Sequence, residues 1–259
     1  MQTIVINNQK GGVGKTTLAI HLAWFLAEQD KARILFIDLD AQANATGTLR
    51  DERKGPDAAS LFDPDARLEW TKNSGLTLMP STSRLHHIGM QNVAAMLHHW
   101  PTLEPHFDYC IIDTPPTGGA RNFAAIAVSD HLIAPIEIQA YSIEGISQLM
   151  LSIEAVERQA REGRKVNFLG LLPSRYNTRS PREQNGLSEL VATIGPKGMF
   201  PGILTYRDSY AQAASESLPV WKIKKSAAVI AATEIRGILS KISDAMNVAA
   251  SRETERVAI

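Results

Sequence analysis

The sequence predicts a doubly wound α/β fold, in which helices cover both faces of a mainly parallel sheet. Short apolar runs rich in β-branched residues alternate with helical patterns along most of the 259 residues. Because these runs are almost continuously apolar, they are typical of parallel strands that are buried on both faces. The first run, Thr3–Asn7, is followed by glycines, where such a fold turns from its first strand into its first helix.

The individual elements follow from the same patterns. Leu18, Leu22 and Leu26 recur at helical spacing and predict a helix over Thr16–Gln29. Isoleucines at helical spacing predict a C-terminal helix within Lys225–Ala249. The other predicted elements are the strands Arg33–Asp38, Tyr109–Asp113, His131–Pro135 and Val166–Leu172, and the helix Ile143–Arg161.

The sequence predicts a single domain that spans residues 1–259 and ends in the C-terminal helix. Arg50–Gly75 is the least regular stretch, and it predicts a connecting excursion with one short helix at Asp57–Phe62. No linker is clear enough to divide the chain in two. A chain of this length buries a sizeable core.

The composition excludes several classes of protein. A single cysteine cannot form an intrachain disulfide or a four-cysteine metal site, and it indicates a reducing, cytoplasmic compartment. The first residues carry no secretory signal, and no apolar run approaches the roughly 18 residues of a membrane span. The 27 Lys and Arg residues balance 27 Asp and Glu residues, which argues against binding nucleic acid through overall charge.

The strongest motif is a phosphate loop at Lys10–Thr17, KGGVGKTT, between the first predicted strand and the first helix. Its glycines let backbone N–H groups point at phosphate, and the helix N-terminus adds partial positive charge. Lys15 is predicted to reach the β- and γ-phosphates, and the Thr16 hydroxyl to bind Mg²⁺. A glycine-rich turn without a ligand would not explain lysines at both 10 and 15. The predicted nucleotide-binding residues here are Gly11, Gly12, Val13, Gly14, Lys15, Thr16 and Thr17.

Acidic residues stand at the ends of two predicted strands. Asp38 and Asp40 follow one strand, and Asp113 ends a later one. In a doubly wound sheet, the carboxyl ends of the strands share one edge with the phosphate loop. Carboxylates there can hold the Mg²⁺ shell and polarise an attacking water, whereas the alternative is that they only keep the strand ends soluble. Beside a phosphate loop, the pattern favours a metal site of Thr16, Asp38 and Asp113.

The motif KGGVGKTT resembles the deviant Walker A motif of the ParA/MinD family of P-loop ATPases. In that family the early lysine, here Lys10, reaches across an ATP-bound dimer to the partner's nucleotide. Asp38–Gln42 is similar to the family's first switch, with alanine in place of the usual proline, which makes Asp40 the residue that positions the hydrolytic water. YCIIDTPP resembles the second switch and makes Asp113 the ligand of an Mg²⁺-bound water. The resemblance thus implies Lys10, Lys15 and Asp40 as catalytic residues, with ATP and Mg²⁺ as cofactors.

Later segments extend the resemblance over nearly the whole chain. Gly170–Tyr176 resembles the family's strand and turn that contact adenine, which implies nucleotide contacts by Ser174 and Arg175. Ser217–Val220 resembles the segment that closes over the base and implies a contact by Pro219.

Three kinds of protein with this fold are the alternatives: a ParA-type partition ATPase that binds DNA, a MinD-like membrane ATPase, and a small-molecule or cluster enzyme. A membrane anchor needs a basic amphipathic C-terminal helix, whereas residues 251–259 carry two acids, two bases and little apolar surface. A nitrogenase-iron-protein-like reductase needs several cysteines. A dethiobiotin-synthetase-like ligase remains open. Because the phosphate loop begins within the first dozen residues, we expect no helix-turn-helix domain before it.

Local charge supports DNA binding better than the total does. Arg158–Arg182 holds seven basic residues and one acid, Glu162. Such runs neutralise phosphates without recognising sequence. A solvated charged face is the alternative, and the family resemblance favours DNA. The candidate DNA contacts are Arg179, Arg182, Arg207, Lys222, Lys224 and Lys225.

The sequence therefore predicts an ATP-dependent DNA partition ATPase whose ATP-bound homodimer binds DNA non-specifically. Hydrolysis would release the dimer from the DNA. The resemblance implies a weak ATPase that a centromere-binding, ParB-like adaptor stimulates, in a cytoplasmic protein associated with the nucleoid and not with a membrane.

Overall fold

Parallel strands form the central sheet of the computed structural model, which describes residues 1–29, 32–70 and 74–257. Over these residues the strands are β1 (Gln2–Ile6), β2 (Arg33–Asp38), β3 (Arg53–Lys54), β4 (Gly75–Met79), β5 (Tyr109–Asp113), β6 (His131–Ile136), β7 (Asn167–Tyr176) and β8 (Leu204–Thr205). Their spatial order is β3-β4-β2-β5-β1-β6-β7-β8, and neighbouring strands in this order are parallel.

Helices cover both faces of the sheet. They are α1 (Lys15–Gln29), α2 (Asn44–Thr48), α3 (Val93–Leu103), α4 (Ala120–Val128), α5 (Ile143–Ala160), α6 (Pro181–Ile194), α7 (Asp208–Glu216) and α8 (Ser226–Val257). Alternate residues of each strand enter opposite cores. Ile4 and Ile6 of β1 pack in a core with α1 and α8, whereas Val5 packs in the core formed with α3, α4 and α5. The predicted doubly wound fold is confirmed.

Strand register brings the candidate acids together. The Cα atom of Asp113 pairs with that of Ile6 on one side and with that of Asp38 on the other. The carboxyl ends of β1, β2 and β5 therefore meet at one edge of the sheet. The phosphate loop leaves β1 at that same edge, as ligand sites in such folds require.

The irregular segment Arg50–Gly75 departs from the sequence prediction in two ways. It contains the edge strand β3, and its short helix is a 3-10 helix, Ala58–Phe62, which the Asp57 side chain caps by accepting the Ala59 N–H. That residues 1–259 form one domain stays a prediction.

The predicted C-terminal helix corresponds to α8, which is longer than its apolar stripe. Within the part of the chain that the structure describes, no helix combines the length and apolar character needed to cross a bilayer. The composition of residues 251–259, which argued against a membrane anchor, concerns side chains that lie outside the described residues.

Candidate nucleotide-binding site

A cavity of about 430 Å³ lies at the carboxyl edge of the sheet, over the loop between β1 and α1. We call one side of it the phosphate end; it is lined by Gly11, Gly12, Gly14, Lys15, Thr16, Thr17 and Asp40. We call the other side the nucleoside end; it is lined by Ser174, Arg175, Thr205, Tyr206, Arg207, Tyr210, Ala211 and Ala214. Most of the predicted nucleotide-binding residues are thus brought to one cavity.

Two glycines give the phosphate loop its curvature. Gly12 and Gly14 have φ angles of 76° and 87°, in the left-handed region that side chains rarely adopt. At Gly14 there is also no room, because a Cβ atom would lie 2.7 Å from the Ser174 Oγ. The neighbouring Val13 is buried and lines a second cavity on the outer side of the loop, so only its backbone can serve the nucleotide site.

The two lysines of the loop have different surroundings. Lys15 is buried, and its Nζ donates to the Lys10 carbonyl oxygen at 2.8 Å. Burial lowers the pKa of Lys15, while Asp113 and Asp40 oppose that shift. The Lys10 side chain is exposed and lines the second cavity with the start of α5. It therefore faces outward from its own chain's site.

Thr16 and Asp113 form the pair that could hold a metal. The Thr16 Oγ1 donates to Asp113 Oδ2 at 2.7 Å, and Asp113 is fully buried. Its other oxygen, Oδ1, has no hydrogen-bond partner among the described residues. Burial, with the nearby charge of Asp38, raises the pKa of Asp113 to about 8. A buried carboxylate with an open oxygen beside a hydroxyl fits the hard oxygen chemistry of Mg²⁺.

In this structure the Asp38 carboxylate forms hydrogen bonds within the first switch. Its Oδ2 accepts hydrogen bonds from the Thr46 N–H at 2.8 Å and the Thr46 Oγ1 at 2.7 Å, and its Oδ1 accepts from the Asp40 N–H at 3.1 Å. Burial raises the pKa of Asp38 to about 6, and the Thr46 hydrogen bonds limit the rise. Metal binding by Asp38 stays a prediction, and its visible role is to fix the turn that carries Asp40.

Further hydrogen bonds hold the backbone beside Asp40. The Ser81 Oγ, just after β4, donates to the Asp40 carbonyl oxygen at 2.7 Å. Arg121, in the first turn of α4, donates to the Leu39 carbonyl oxygen at 2.8 Å. Sequence reasoning missed Thr46, Ser81 and Arg121. The position of Ser81 at the end of a strand next to β2 was a usable signal, whereas Arg121 offered none.

At the nucleoside end, Ser174 is fully buried and its Oγ has no hydrogen-bond partner in the described chain. Arg175 adopts a left-handed φ of 54° and places its guanidinium 5.1 Å from the centre of the Tyr206 ring. The contact by Pro219 stays a prediction. Pro219 is buried outside the described lining of the cavity, where the next N–H, that of Val220, donates to the His21 Nε2 at 3.3 Å.

The candidate DNA contacts fall into three groups. Arg207 lines the candidate nucleotide cavity and lies 3.4 Å from Glu234, and a DNA contact by Arg207 stays a prediction. Lys222 pairs with Glu28 at 2.9 Å. Arg179, Arg182, Lys224 and Lys225 are exposed, as Lys222 is too, and none of these four forms an ion pair with a described residue.

The basic run Arg158–Arg182 does not form one patch. Strand β7 runs through its middle and separates Lys165 from Arg179 by about 33 Å of extended chain. Arg161 is also buried, where it donates to the Ala127 and Ser129 carbonyl oxygens. Only the half of the run that follows β7 lies at the edge of the sheet that carries the cavity.

A phosphate loop that opens a helix, a buried Thr–Asp pair and an acidic switch at the next strand end define a P-loop nucleoside triphosphatase. A family model described as an AAA domain matches residues 1–166. The protein IncC of Escherichia coli is 36% identical over 96% of this chain and 71% of its own length. The chain belongs to the ParA/MinD family of P-loop ATPases and is accordingly an ATPase, as its sequence predicts.

Two further likenesses agree with that assignment. The chromosome-partitioning ATPase Soj of Thermus thermophilus is 32% identical over 76% of this chain and 78% of its own length. The structure of apo McdA from Cyanothece superposes with a TM-score of 0.72 at 26% identity, covering 92% of this chain and 99% of that one.

Proposed function

We propose that this chain is an ATP-dependent DNA partition ATPase, whose ATP-bound homodimer binds DNA non-specifically and is released by hydrolysis. The observation that carries the proposal is the convergence of Lys15, the Thr16–Asp113 pair and Asp40 on one cavity. The similarity to the partitioning ATPase Soj favours a partition role over the small-molecule ligase.

The residues of the phosphate end have separable roles in the conversion of ATP and water to ADP and phosphate. Lys15 would neutralise the transferring phosphoryl group, and the loop N–H groups would bind its oxygens. Thr16 and Asp113 would hold Mg²⁺, which supplies further charge neutralisation when bound. Asp40 would orient the attacking water from the cavity wall, where Asp38 and Ser81 fix its backbone.

The exposed Lys10 supports the dimer. Its side chain faces outward from its own cavity, as expected of a lysine that serves the nucleotide of a second copy. Dimerisation would also place two sets of the exposed basic residues Arg179, Arg182, Lys224 and Lys225 on one particle. Doubling the number of phosphate contacts steepens the dependence of DNA affinity on salt.

Hydrolysis in this proposal is slow until a centromere-binding, ParB-like adaptor stimulates it. The protein would act in the cytoplasm, on nucleoid DNA. The similarity to a chromosome-partitioning ATPase and the exposed basic residues Arg179 and Arg182, which follow β7 at the cavity edge, support both expectations.

The test is whether random-sequence duplex DNA binds this protein only with ATP and Mg²⁺. We expect binding with ATP, little with ADP, and a steep decrease in affinity with salt. Lys15→Gln should abolish nucleotide-dependent dimers and DNA binding together. Lys224→Gln with Lys225→Gln should weaken DNA binding and leave the ATP affinity unchanged.

The matched control is Arg164→Gln, which removes a basic residue at the opposite edge of the sheet and should bind DNA normally. Equal DNA binding with and without ATP, or none at low salt, would contradict the proposed function and favour the ligase.

A further inference from the structure

One carboxylate joins the C-terminal helix to the nucleoside end of the cavity. Glu234 of α8 accepts hydrogen bonds from the Thr205 N–H at 2.8 Å and from the Thr205 Oγ1 at 2.6 Å. It also lies 3.1 Å from the Tyr210 hydroxyl and 3.4 Å from the Arg207 Nη2. Because Thr205, Arg207 and Tyr210 all line the cavity, this single side chain holds much of the nucleoside end.

The opposite side of Tyr210 is held as well. The His21 ring of α1 packs edge-on against the Tyr210 ring, with 5.7 Å between ring centres and 89° between planes. The Tyr210 hydroxyl also lies 3.1 Å from the Ala231 carbonyl oxygen, one turn before Glu234 on α8. Tyr210 is therefore a fixed wall. Arg207 and Ser174 are the side chains of this end that carry a buried donor without a partner in the described chain, and only Arg207 is also held by Glu234.

Arg207 presents that donor. Its Nη2 is directed at Glu234, while its Nε is buried and makes no hydrogen bond with any described residue. A buried N–H without an acceptor is unfavourable and is satisfied when a ligand supplies one. The ring nitrogens of a purine are acceptors of that kind, and a base is the part of a nucleotide that extends beyond the phosphate loop.

We propose that Glu234 is a positioning residue of the nucleotide site, which orients Arg207 so that its Nε–H donates to the base of bound ATP. The proposal rests on the ATP binding stated under the proposed function. It moves Arg207 from the candidate DNA contacts to the nucleotide site. It also assigns to α8 a part in nucleotide affinity that the phosphate-loop motif does not contain.

The test compares the binding of ATP with that of inorganic tripolyphosphate, which has no base, by calorimetry in the presence of Mg²⁺. Glu234→Gln replaces one acceptor oxygen with a donor, so the Kd for ATP should rise about tenfold. The Kd for tripolyphosphate should stay unchanged, because the phosphate end is not touched. Arg207→Gln should reproduce this split, and the double variant should lose less than the sum of both.

Glu28→Gln is the matched control. Glu28 also ties α8 to its neighbours, since it accepts from the Trp221 Nε1 at 2.8 Å and lies 3.5 Å from the Arg236 Nη2. It does not belong to the described lining of the cavity. The variant should therefore bind both ATP and tripolyphosphate like the wild type.

Each other outcome counts against the inference. Unchanged ATP affinity in Glu234→Gln, or an equal loss for ATP and tripolyphosphate, would overturn it. If Glu234→Gln does not fold, Arg207→Gln decides, and normal ATP affinity in that variant would overturn the inference. If the wild type bound ATP no more tightly than tripolyphosphate, the inference would also be overturned. If the wild type bound neither ligand, the proposed function itself would be contradicted.

Discussion

The two ends of the nucleotide cavity are built in different ways. The phosphate end comes mostly from one continuous loop, Gly11–Thr17, whose shape depends on its own glycines and on the start of α1. The nucleoside end is assembled from β7, β8 and α7, and its side chains are fixed by Glu234 of α8 and His21 of α1. One end is encoded locally, and the other depends on tertiary packing.

This difference separates the residues expected to bind and hydrolyse the phosphates from those expected to add affinity for the base. The groups that would act on phosphate and water lie at the phosphate end, so changes there should alter binding of any polyphosphate or its turnover. Changes at the nucleoside end should alter only ligands that carry a base. The predictions below test that separation, from the largest expected effect to the smallest.

Gly14→Ala should have the largest effect. The new Cβ would lie 2.7 Å from the Ser174 Oγ, and alanine would be held at a φ of 87°. Because both constraints distort the loop that binds phosphate, the affinities for ATP and for tripolyphosphate should fall at least roughly a hundredfold. Calorimetric titration with both ligands measures this.

The control is Gly237→Ala, within α8, where the added Cβ would meet no described atom within 4 Å beyond the adjoining backbone of its own helix. Alanine there should leave both affinities unchanged and raise the free energy of unfolding by about 1 kcal/mol. Selective loss of ATP affinity in Gly14→Ala, with tripolyphosphate binding retained, would break the proposed division between the two ends.

Asp40→Ala should separate binding from turnover. Removing the carboxylate that orients the attacking water should lower kcat roughly 10²–10³-fold. The Kd for ATP should change little, because no hydrogen bond among the described residues joins the Asp40 side chain to the phosphate loop that binds ATP. Single-turnover hydrolysis and nucleotide binding on the same preparation check both parts, and normal hydrolysis would refute the role of Asp40.

Acid should destabilise the fold through histidines that are buried in the neutral form. Burial lowers the pKa of His21 and of His131 from 6.5 to about 4. Each contributes stability that is fully present above pH 6.5 and is lost as the pH falls through about 4, because the unfolded chain binds the proton first. The loss approaches about 3 kcal/mol for each histidine. Denaturant unfolding between pH 7 and 4 measures it.

The two histidines differ in where they act. His21 lies behind the nucleoside end, and its Nδ1 is 2.8 Å from the Thr17 carbonyl oxygen. His131 lies at the other edge of the sheet, between Gln2 and Asn167. His21→Gln and His131→Gln should each flatten the pH dependence of the free energy of unfolding. Only His21→Gln should lower the affinity for ATP more than the affinity for tripolyphosphate. If the free energy of unfolding still fell steeply between pH 7 and 4 in both variants, this account would be contradicted.

The contrast between the two ends also explains what the sequence could predict. Periodicity and β-branched runs locate β2 and β5 at their observed bounds, since such strands are strongly apolar whatever surrounds them. The phosphate loop could be predicted equally well, because Gly11–Thr17 and the strand before it are neighbours in the sequence. Asp113 could be placed beside the loop once the strands were known to be parallel.

The nucleoside end could not be predicted in this way. The contact by Pro219 rests on resemblance and stays a prediction, and only the fold shows that the next N–H, that of Val220, donates to His21. Arg207 was assigned to DNA from local charge, and only the fold shows its contact with Glu234, 27 residues later. The sequence shows how many basic residues a segment has, whereas the direction of the neighbouring strand decides which edge of the sheet these residues occupy.

The smallest effect expected is that of Thr46→Val, which tests the support of the first switch. Valine keeps the shape of threonine but loses the hydroxyl that donates to Asp38 and accepts the Ser81 N–H at 2.8 Å. The backbone at Asp40 should become less fixed, so kcat should fall about tenfold with the Kd for ATP unchanged. Thr233→Val, which removes a hydroxyl that donates to the Val229 carbonyl oxygen within α8, should hydrolyse ATP normally. A wild-type kcat in Thr46→Val would mean that Ser81 and Arg121 alone suffice to hold Asp40. The switch would then depend on tertiary contacts from the end of β4 and from α4, unlike the loop beside it.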